Sequence, residues 1–455
     1  MSTTRTADLL VRDAKLLVTM NGEEIPGGWV AISNGFVDAI GPAGSEPAAR
    51  ELLSAENCLV TPGLISVHNH MFQNLTRAFG PALNRELLSW ARTGGEMWSR
   101  LDQEAAFVST WIGMAELALG GCTETSDDLY AHPRPRLIDA QIEAAQEVGL
   151  RFDPCRGCVA LTREQGAQFP DAMVEDEETI LADTERLIQT WHDPSPGAMV
   201  RIVCGPTASD VATDHQFRAS AELAAKYNVQ MTTHLSQQPG EEAWSLKKYG
   251  LKPVDWLDSV GWSTPRAWVA HSIFVDDDDI RKLARWGTGV AHCPSSNCLV
   301  CNGIAPIPEM RAAGVTVGLA VDGSGTEHAS MWLEARSALL LGRVRKGPTG
   351  MSARDVLAMA TLGSAKCLGR EGEVGVLKPG SCADLVCWPQ EGIPFAGALT
   401  DPVEAWIRCG PVSARHTLVA GKAIVRNGEL QLRVIDERLK RHGQISREWQ
   451  QKYIQ

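Results

Sequence analysis

The sequence predicts an α/β protein: a (β/α)8 TIM-like barrel with a small β-sandwich domain built from both termini. Two observations support this fold class. Short apolar runs alternate with amphipathic segments through residues 61–365, as in βα units that form a parallel sheet. Both ends of the chain instead carry short Val/Ile/Leu runs broken by Asn-Gly and Gly-Pro turns. A middle region of about 300 residues is long enough for one large barrel.

The terminal regions are expected to form one composite β domain from residues 1–60 and 366–432. Its strand-like runs include "DLLVRDAKLLVTM" and "GGWVAISNGFVDAIGP" near the start, and "RHTLVAGKAIVRNGEL" near the end. The barrel is expected to occupy residues 61–365. Residues 433–455 predict a solvated C-terminal helix.

Within the barrel, five runs have the composition of buried parallel strands. They are "MVRIVCGPT", "VQMTTHLSQ", "RAWVAHSIF", "GTGVAHCPSSN" and "VTVGLAVDGSG". Amphipathic segments such as "DHQFRASAELAAKYN", "DDIRKLARWG" and "IPEMRAAG" lie between them and predict helices. This order is that of a barrel in which each strand is followed by a helix.

Composition excludes several classes of partner. The net charge of −12 argues against nucleic acid and against an anionic membrane surface. No apolar run reaches the roughly 18–20 residues that a membrane span needs. The first twenty residues have scattered charges and no signal-peptide core, which predicts a cytoplasmic protein. The expected partner is a small-molecule substrate.

The 12 cysteines have irregular spacing, and in a long chain of this kind they are expected to be reduced and structural. Two Cys-x-x-Cys pairs, Cys155/Cys158 and Cys298/Cys301, leave a zinc knuckle open as an alternative.

Metal-capable residues stand at the ends of the predicted strands. His68 and His70 are two residues apart, so on a strand they share one face. Other strand-like runs end in His234, His271, His292 and Asp322. In a barrel the carboxyl ends of the strands converge on one mouth, where active sites lie. These side chains are therefore expected to meet.

Three imidazoles from His68, His70 and His234, with the carboxylate of Asp322, suit one Zn²⁺, Fe²⁺ or Co²⁺ ion. An open coordination position would hold water, whose pKa a metal lowers toward neutral. Asp322 is then expected to accept the proton of that water. His271 is expected to polarise a substrate oxygen or hold the hydroxide, and His292 to orient a ligand or contact the substrate.

These motifs resemble the amidohydrolase superfamily, in the branch of metal-dependent aminohydrolases and chlorohydrolases that includes 8-oxoguanine deaminases and triazine hydrolases. The pieces that carry the resemblance are "PGLISVHNH", "FQNLTRA", "TTHL", "WVAHS", "GVAHCPSSN", "VGLAVDGS", "ATLGSAKCLGR" and "LKPGSCADLV". The resemblance covers nearly the whole chain. It implies a mononuclear metal on His68, His70, His234 and Asp322, and a homo-oligomeric assembly. No lysine ends a middle strand as a bridging ligand would.

The chain departs from ring deaminases of this branch at the position of their catalytic glutamate. Their His-x-x-Glu motif is here His234-Leu-Ser-Gln237, and a glutamine amide cannot carry the proton. Glu241 and Glu242 follow closely and are one alternative source of the proton, although they are four residues out of register. Proton transfer by His328 or Asp128 in a shifted geometry is another. Two further departures are Asp127-Asp128, where the family shows Asp-His, and Thr326-Glu327-His328, where it shows Ser-Asn-Asp.

The altered substrate wall favours a substrate with no ring nitrogen to protonate. The main hypothesis is hydrolysis of a C–N or C–S bond in a urea, carbamate, thiocarbamate or amide, as in the similar phenylurea and molinate hydrolases. The alternative is deamination of an aminopurine-, pterin- or triazine-like ring, and a remote alternative is a non-catalytic binding protein. The expected catalytic residues are Asp322, His271 and Gln237. The expected substrate contacts are Gln73, Trp90, Asp128, His292 and His328.

Overall fold

The computed structural model describes residues 6–323 and 328–454. The chain ends form two sheets. The first has the order β5-β4-β1-β6, and the second joins strands of both termini in the order β19-β18-β17-β16-β7-β2-β3. The strands from the N-terminal end are β1 (Ala7–Arg12), β2 (Leu16–Val18), β3 (Glu24–Ile25), β4 (Trp29–Ser33), β5 (Phe36–Gly41), β6 (Ala49–Ser54) and β7 (Cys58–Pro62). Those from the C-terminal end are β16 (Leu385–Pro389), β17 (His416–Val419), β18 (Lys422–Arg426) and β19 (Glu429–Leu430).

The two sheets share one apolar core. Leu9 and Val30 of the first sheet and Val60 and Leu385 of the second are all buried in the same cluster. Strands β7 and β16 pair antiparallel, which ties the two chain ends together. The predicted β sandwich built from both termini is therefore confirmed.

The barrel is an eight-stranded parallel sheet in sequence order. Its strands are β8 (Leu64–Ser66), β9 (Cys122–Leu129), β10 (Arg151–Arg156), β11 (Val203–Cys204), β12 (Met231–Leu235), β13 (Ala267–His271), β14 (Gly289–His292) and β15 (Val317–Leu319). The first and last strands meet where the Val67 amide donates to the carbonyl of Leu319 at 3.2 Å. The barrel prediction is confirmed.

Helices flank the barrel strands and cover the termini. They are α1 (Leu87–Trp98), α2 (Gln103–Leu119), α3 (Leu137–Val148), α4 (Glu177–Trp191), α5 (Asp214–Tyr227), α6 (Glu241–Tyr249), α7 (Pro253–Ser259), α8 (Asp277–Trp286), α9 (Pro294–Leu299), α10 (Ile307–Ala312), α11 (Met331–Lys346), α12 (Ala353–Ala358), α13 (Ser364–Cys367), α14 (Pro402–Cys409) and α15 (Ile435–Gln450). Local signals set their ends. The side chain of Asp276 caps α8 in a capping box with Asp279, and Gly287 ends that helix at φ +73°.

The terminal helix α15 was predicted to be solvated, but one of its faces is buried. Ile445 and Trp449 of α15 are buried against the barrel side. Its polar face also takes part, since His442 Nε2 lies 2.8 Å from Asn74 Oδ1 and Gln450 donates to the carbonyl of Leu75. The apolar positions one turn apart on this helix explain the packing.

The zinc-knuckle alternative finds no support in the part of the chain that is described. No group of metal-capable side chains there includes Cys155, Cys158, Cys298 or Cys301. All twelve cysteines lie in described residues and none forms a disulfide. No described helix is long and apolar enough to cross a membrane.

Candidate metal centre and active site

The predicted strand ends do converge. His68 and His70 follow β8, His234 lies in β12, His271 ends β13 and Asp322 follows β15. His271 and Asp322 have left-handed backbone conformations, with φ of 74° and 59°. Non-glycine residues rarely adopt this conformation, and such strain concentrates at functional sites.

The ligand atoms lie close enough to share one ion. Oδ1 of Asp322 is 3.4 Å from Nε2 of His68 and 3.4 Å from Nε2 of His70. The Nε2 atoms of His70 and His234 are 3.3 Å apart. The ligand atoms of His68, His234 and His271 also lie within 4.8 Å of one another.

The tautomers of two histidines make this arrangement unfavourable without a cation. Nδ1 of His70 lies 2.7 Å from the carbonyl of Asp128, and Nδ1 of His234 lies 2.7 Å from the carbonyl of Thr207. A carbonyl only accepts, so each Nδ1 carries the proton and each Nε2 keeps a lone pair. Two lone pairs therefore face each other. In addition, neither ring nitrogen of the buried His68 has a hydrogen-bond partner among the described residues. The donor set fits a divalent metal ion.

The protonation states fit the same conclusion. Burial lowers the pKa of His68 to about 4 and the pKa values of His70 and His234 to about 3, so the three imidazoles are neutral at neutral pH. Burial would raise the pKa of Asp322, but the nearby rings of His68 and His271 hold it well below its usual value. The site thus presents neutral imidazoles and one carboxylate.

The second oxygen of Asp322 is held by a residue of helix α9. The Ser296 hydroxyl donates to Oδ2 of Asp322, which also lies 3.9 Å from Nε2 of His271. The neighbouring Asn297 accepts from Nδ1 of His271 at 2.8 Å, which leaves Nε2 of His271 as an acceptor. This nitrogen has no other partner among the described residues. It is therefore suited to hold a water molecule or hydroxide rather than to donate to a substrate oxygen.

A cavity of about 330 Å³ opens above this centre. His70, His234, Ser296 and Asp322 form its polar floor. Its walls are largely apolar and aromatic, with Leu87, Leu88, Trp90, Tyr130, Phe169, Val211, Trp244 and Val300. The volume and lining are those of a site for a small organic molecule.

The charge of the lining restricts the ligand. Its ionisable members besides the histidines and Tyr130 are the carboxylates of Asp210, Glu241 and Asp322, and no described residue of the lining is a lysine or arginine. A phosphorylated or carboxylated ligand would therefore find no lysine or arginine as a counter-charge among the described lining residues.

Gln237 lies in the cavity wall, as does His234 three residues before it. Glu241 also lines the cavity, but its carboxylate accepts from the backbone amides of Ser236 at 2.6 Å and Gln237 at 2.8 Å. Burial raises its pKa to about 7. Glu241 thus fixes the turn that carries Gln237, whereas Glu242 is exposed and outside the lining.

The predicted substrate contacts differ in their placement. Gln73 and Trp90 line the cavity, and Gln73 donates to the Tyr130 hydroxyl at 2.8 Å. Asp128 is buried beside the metal ligands, with Oδ2 3.8 Å from Nδ1 of His234, but it is not part of the lining. Its position on β9 places it beside a ligand instead of at the open mouth.

His292 and His328 do not reach the cavity. His292 is buried beside His271, and burial together with that neighbouring ring lowers the pKa of His292 to about 3. His328 is exposed. Thr326 and Glu327, noted in the sequence as departures from the family, lie outside the described residues.

Sequence reasoning missed several residues of the site. Ser296 and Asn297 belong to the "PSSN" stretch directly after β14, and their place after a strand with a terminal histidine is a signal that points to them. Tyr130 follows β9 directly. Phe169 comes from the irregular segment between β10 and α4 and had no such signal.

Comparisons with known proteins agree with this architecture. Residues 59–422 match the model of the amidohydrolase family. The chain is 40% identical to an 8-oxoguanine deaminase of Pseudomonas aeruginosa over 92% of this chain and 94% of the relative. It is 36% identical to a hydroxydechloroatrazine ethylaminohydrolase of Pseudomonas sp. strain ADP, over 93% and 87%.

One solved structure that resembles this chain contains zinc. The atrazine chlorohydrolase of Arthrobacter aurescens, complexed with zinc, superposes with a TM-score of 0.91 at 29% identity and covers 96% of this chain and all of its own. The family model, the two relatives and the solved structure each match most of this chain. The chain belongs to the amidohydrolase family and is a hydrolase that acts on carbon–nitrogen bonds.

Proposed function

We propose that the protein is a mononuclear, metal-dependent hydrolytic deaminase of a small, uncharged, amino-substituted nitrogen heterocycle. The observation that supports this most is the pair of Nε2 lone pairs of His70 and His234, 3.3 Å apart at the floor of a cavity with aromatic walls. The relatives named above act on 8-oxoguanine and on a triazine, and both of these are planar nitrogen heterocycles. The alternative hypothesis of the sequence analysis thus becomes the better supported one.

We assign the metal to His68, His70, His234 and Asp322, with Zn²⁺, Fe²⁺ and Co²⁺ as candidate ions. Such an ion supplies Lewis-acid activation of water at neutral pH. The neutral imidazoles and the ionised carboxylate are already in the state that coordination requires.

The residues around the ion orient the reactants. Nε2 of His271 accepts a hydrogen bond from the attacking water, because Asn297 fixes its tautomer. The carboxylate of Asp322, held by Ser296, takes the proton of that water and passes it to the leaving amine. Gln237 is assigned a hydrogen bond to the edge of the ring, since an amide can both donate and accept.

The aromatic part of the cavity wall is suited to bind the part of the substrate that does not react. Trp90, Phe169 and Trp244 offer aromatic faces to a planar ring or its apolar substituent. The absence of a lysine or arginine from the described lining disfavours nucleotides and other anionic substrates.

One observation favours the carbonyl hydrolysis of the sequence analysis as a second candidate. Gln237 cannot protonate a ring nitrogen, and Glu241, the nearest carboxyl in the cavity wall, holds the backbone amides of a turn. A urea, carbamate, thiocarbamate or amide does not require a proton on a ring nitrogen before attack.

The test is a product screen by mass spectrometry on metal-loaded protein. The panel holds aminopurines, pterins, aminotriazines, phenylureas and thiocarbamates. Release of ammonia or an alkylamine from a ring supports deamination. Release of an aniline or a thiol, with all rings inert, supports the second candidate and rejects the first.

A further inference from the structure

Two Cys-x-x-Cys pairs of this chain have opposite environments. Cys155 and Cys158 are fully buried, and burial raises the pKa of Cys158 to about 12. Cys298 and Cys301 are exposed, while the other cysteines of the chain are buried or half-buried. An oxidant in solution therefore reaches one pair and not the other.

The exposed pair lies in a tight turn. Cys298 is in helix α9, and the amide of Cys301 donates to the carbonyl of Cys298 at 3.1 Å. A turn closed by such an i to i+3 hydrogen bond brings the two Cα atoms within about 7 Å. Disulfides span Cα separations of roughly 4.4–6.8 Å, so this turn lies in the range that a disulfide bridges with a small adjustment.

The same segment supports the active site. Val300, between the two cysteines, lines the cavity. Ser296 and Asn297, which precede Cys298, hold Asp322 and His271. The amide of Val300 donates to the carbonyl of Ser296 at 3.1 Å, so the turn and the site residues form one hydrogen-bonded unit.

We propose that Cys298 and Cys301 form a site of reversible thiol oxidation, and that the disulfide between them lowers activity by shifting the turn that supports Ser296 and Asn297. The oxidant class is a low-molecular-weight disulfide such as oxidised glutathione. The thiolate of one cysteine attacks the oxidant, which forms a mixed disulfide and releases one thiol. The thiolate of the other cysteine then attacks the mixed disulfide and displaces the second glutathione as thiolate. The two released thiolates take up the two protons that the cysteines gave up, so the products are one protein disulfide and two reduced thiols.

The first test needs no substrate. The full-length, metal-loaded protein is incubated with oxidised glutathione and mapped by peptide mass. The peptide that contains both cysteines is expected to lose two hydrogen atoms and to regain them with dithiothreitol. Cys298→Ser and Cys301→Ser are each expected to stop this loss, whereas Cys409→Ser, at a half-buried cysteine, leaves it unchanged.

Three outcomes would contradict the proposed oxidation site at Cys298 and Cys301. They are an unmodified peptide in the folded protein, separate glutathione adducts on both cysteines, and an additional bound zinc ion that disappears in either serine variant. The first shows that the thiols do not react with the oxidant in the folded protein. The second shows that the thiols do not reach each other, and the third assigns the pair to metal binding.

The second test measures the effect on the cavity and rests on the proposed function. With a substrate identified by the product screen, kcat of the oxidised protein is expected to fall about tenfold, the scale of losing a group that orients metal ligands. Reduction restores it, and the two serine variants keep full activity under oxidant. A fully oxidised protein with unchanged kcat would reject the coupling. Because the mass measurement is independent of substrate, its failure is distinct from the failure of the deaminase proposal.

Discussion

Oδ1 of Asp322 lies 3.4 Å from Nε2 of His68, and both side chains are buried. The two residues follow the last and the first strand of the barrel, at the point where the barrel closes. The contact therefore depends on correct barrel closure as well as on the two side chains. It also places a carboxylate and an imidazole at the distance that a shared ion requires.

Asp322→Asn is expected to weaken metal binding and to lower kcat at least about 1,000-fold, because it removes both a charged ligand and the proton acceptor. Metal content by plasma mass spectrometry and kcat on the identified substrate measure the two effects. His215→Ala, at an exposed histidine paired with Glu177, is the control and should keep one equivalent of metal. An Asp322→Asn protein with full metal and full activity would contradict the assignment.

Gln237→Glu is expected to raise kcat on a ring substrate by up to about 100-fold, because it restores a carboxyl that can protonate the ring. The neighbouring Gln238 also lines the cavity, so Gln238→Glu adds the same charge at a matched position. Only Gln237→Glu is expected to raise kcat on the ring substrate. Equal responses of the two variants would show that charge alone matters and not a proton donor at position 237.

Asn297→Ala is expected to lower kcat by about 10–100-fold with little change in KM or metal content, because His271 loses the acceptor that fixes its tautomer. Asn297→Asp keeps an acceptor and should recover most of the loss. Ser295→Ala alters the same turn, but its hydroxyl contacts Ser337 at 3.1 Å and not the site. An effect of Ser295→Ala as large as that of Asn297→Ala would point to a general disturbance of the turn.

The metal-free protein is expected to lose stability as the pH falls from about 6.5 to about 4. An unfolded histidine titrates near 6.5, whereas the folded pKa values of His68, His70 and His234 are about 4, 3 and 3. In this window the unfolded chain binds more protons, so the free energy of unfolding decreases with decreasing pH. Each histidine contributes a slope of up to about 1.4 kcal/mol per pH unit.

Urea unfolding of the metal-free protein at several pH values measures this slope. His70→Gln should reduce it by about one histidine's share. A free energy of unfolding that does not vary between pH 6.5 and 4 would contradict the buried, neutral state of these rings.

The sequence was sufficient for the barrel and for the convergence of its strand ends, because both follow from local periodicity and a general rule of parallel barrels. His68, His70, His234, His271 and Asp322 meet for that reason. Asp128 was expected at the substrate but lies beside His234, since its place depends on how β9 sits behind the ligands. Phe169 lines the cavity but comes from an irregular segment. Sequence periodicity does not predict where such a segment packs in the fold. The packing of α15 against the barrel is likewise a long-range contact that local sequence patterns do not predict.

The most direct test of the central claim uses metal-loaded protein, an amino-substituted heterocycle and oxygen-labelled water. We expect one ammonia or alkylamine released per turnover, one labelled oxygen at the ring carbon, loss of turnover with a chelator, and recovery with Zn²⁺, Fe²⁺ or Co²⁺. Turnover that survives complete metal removal, or label found only in the carbonyl products of ureas and carbamates, would contradict the proposed deaminase.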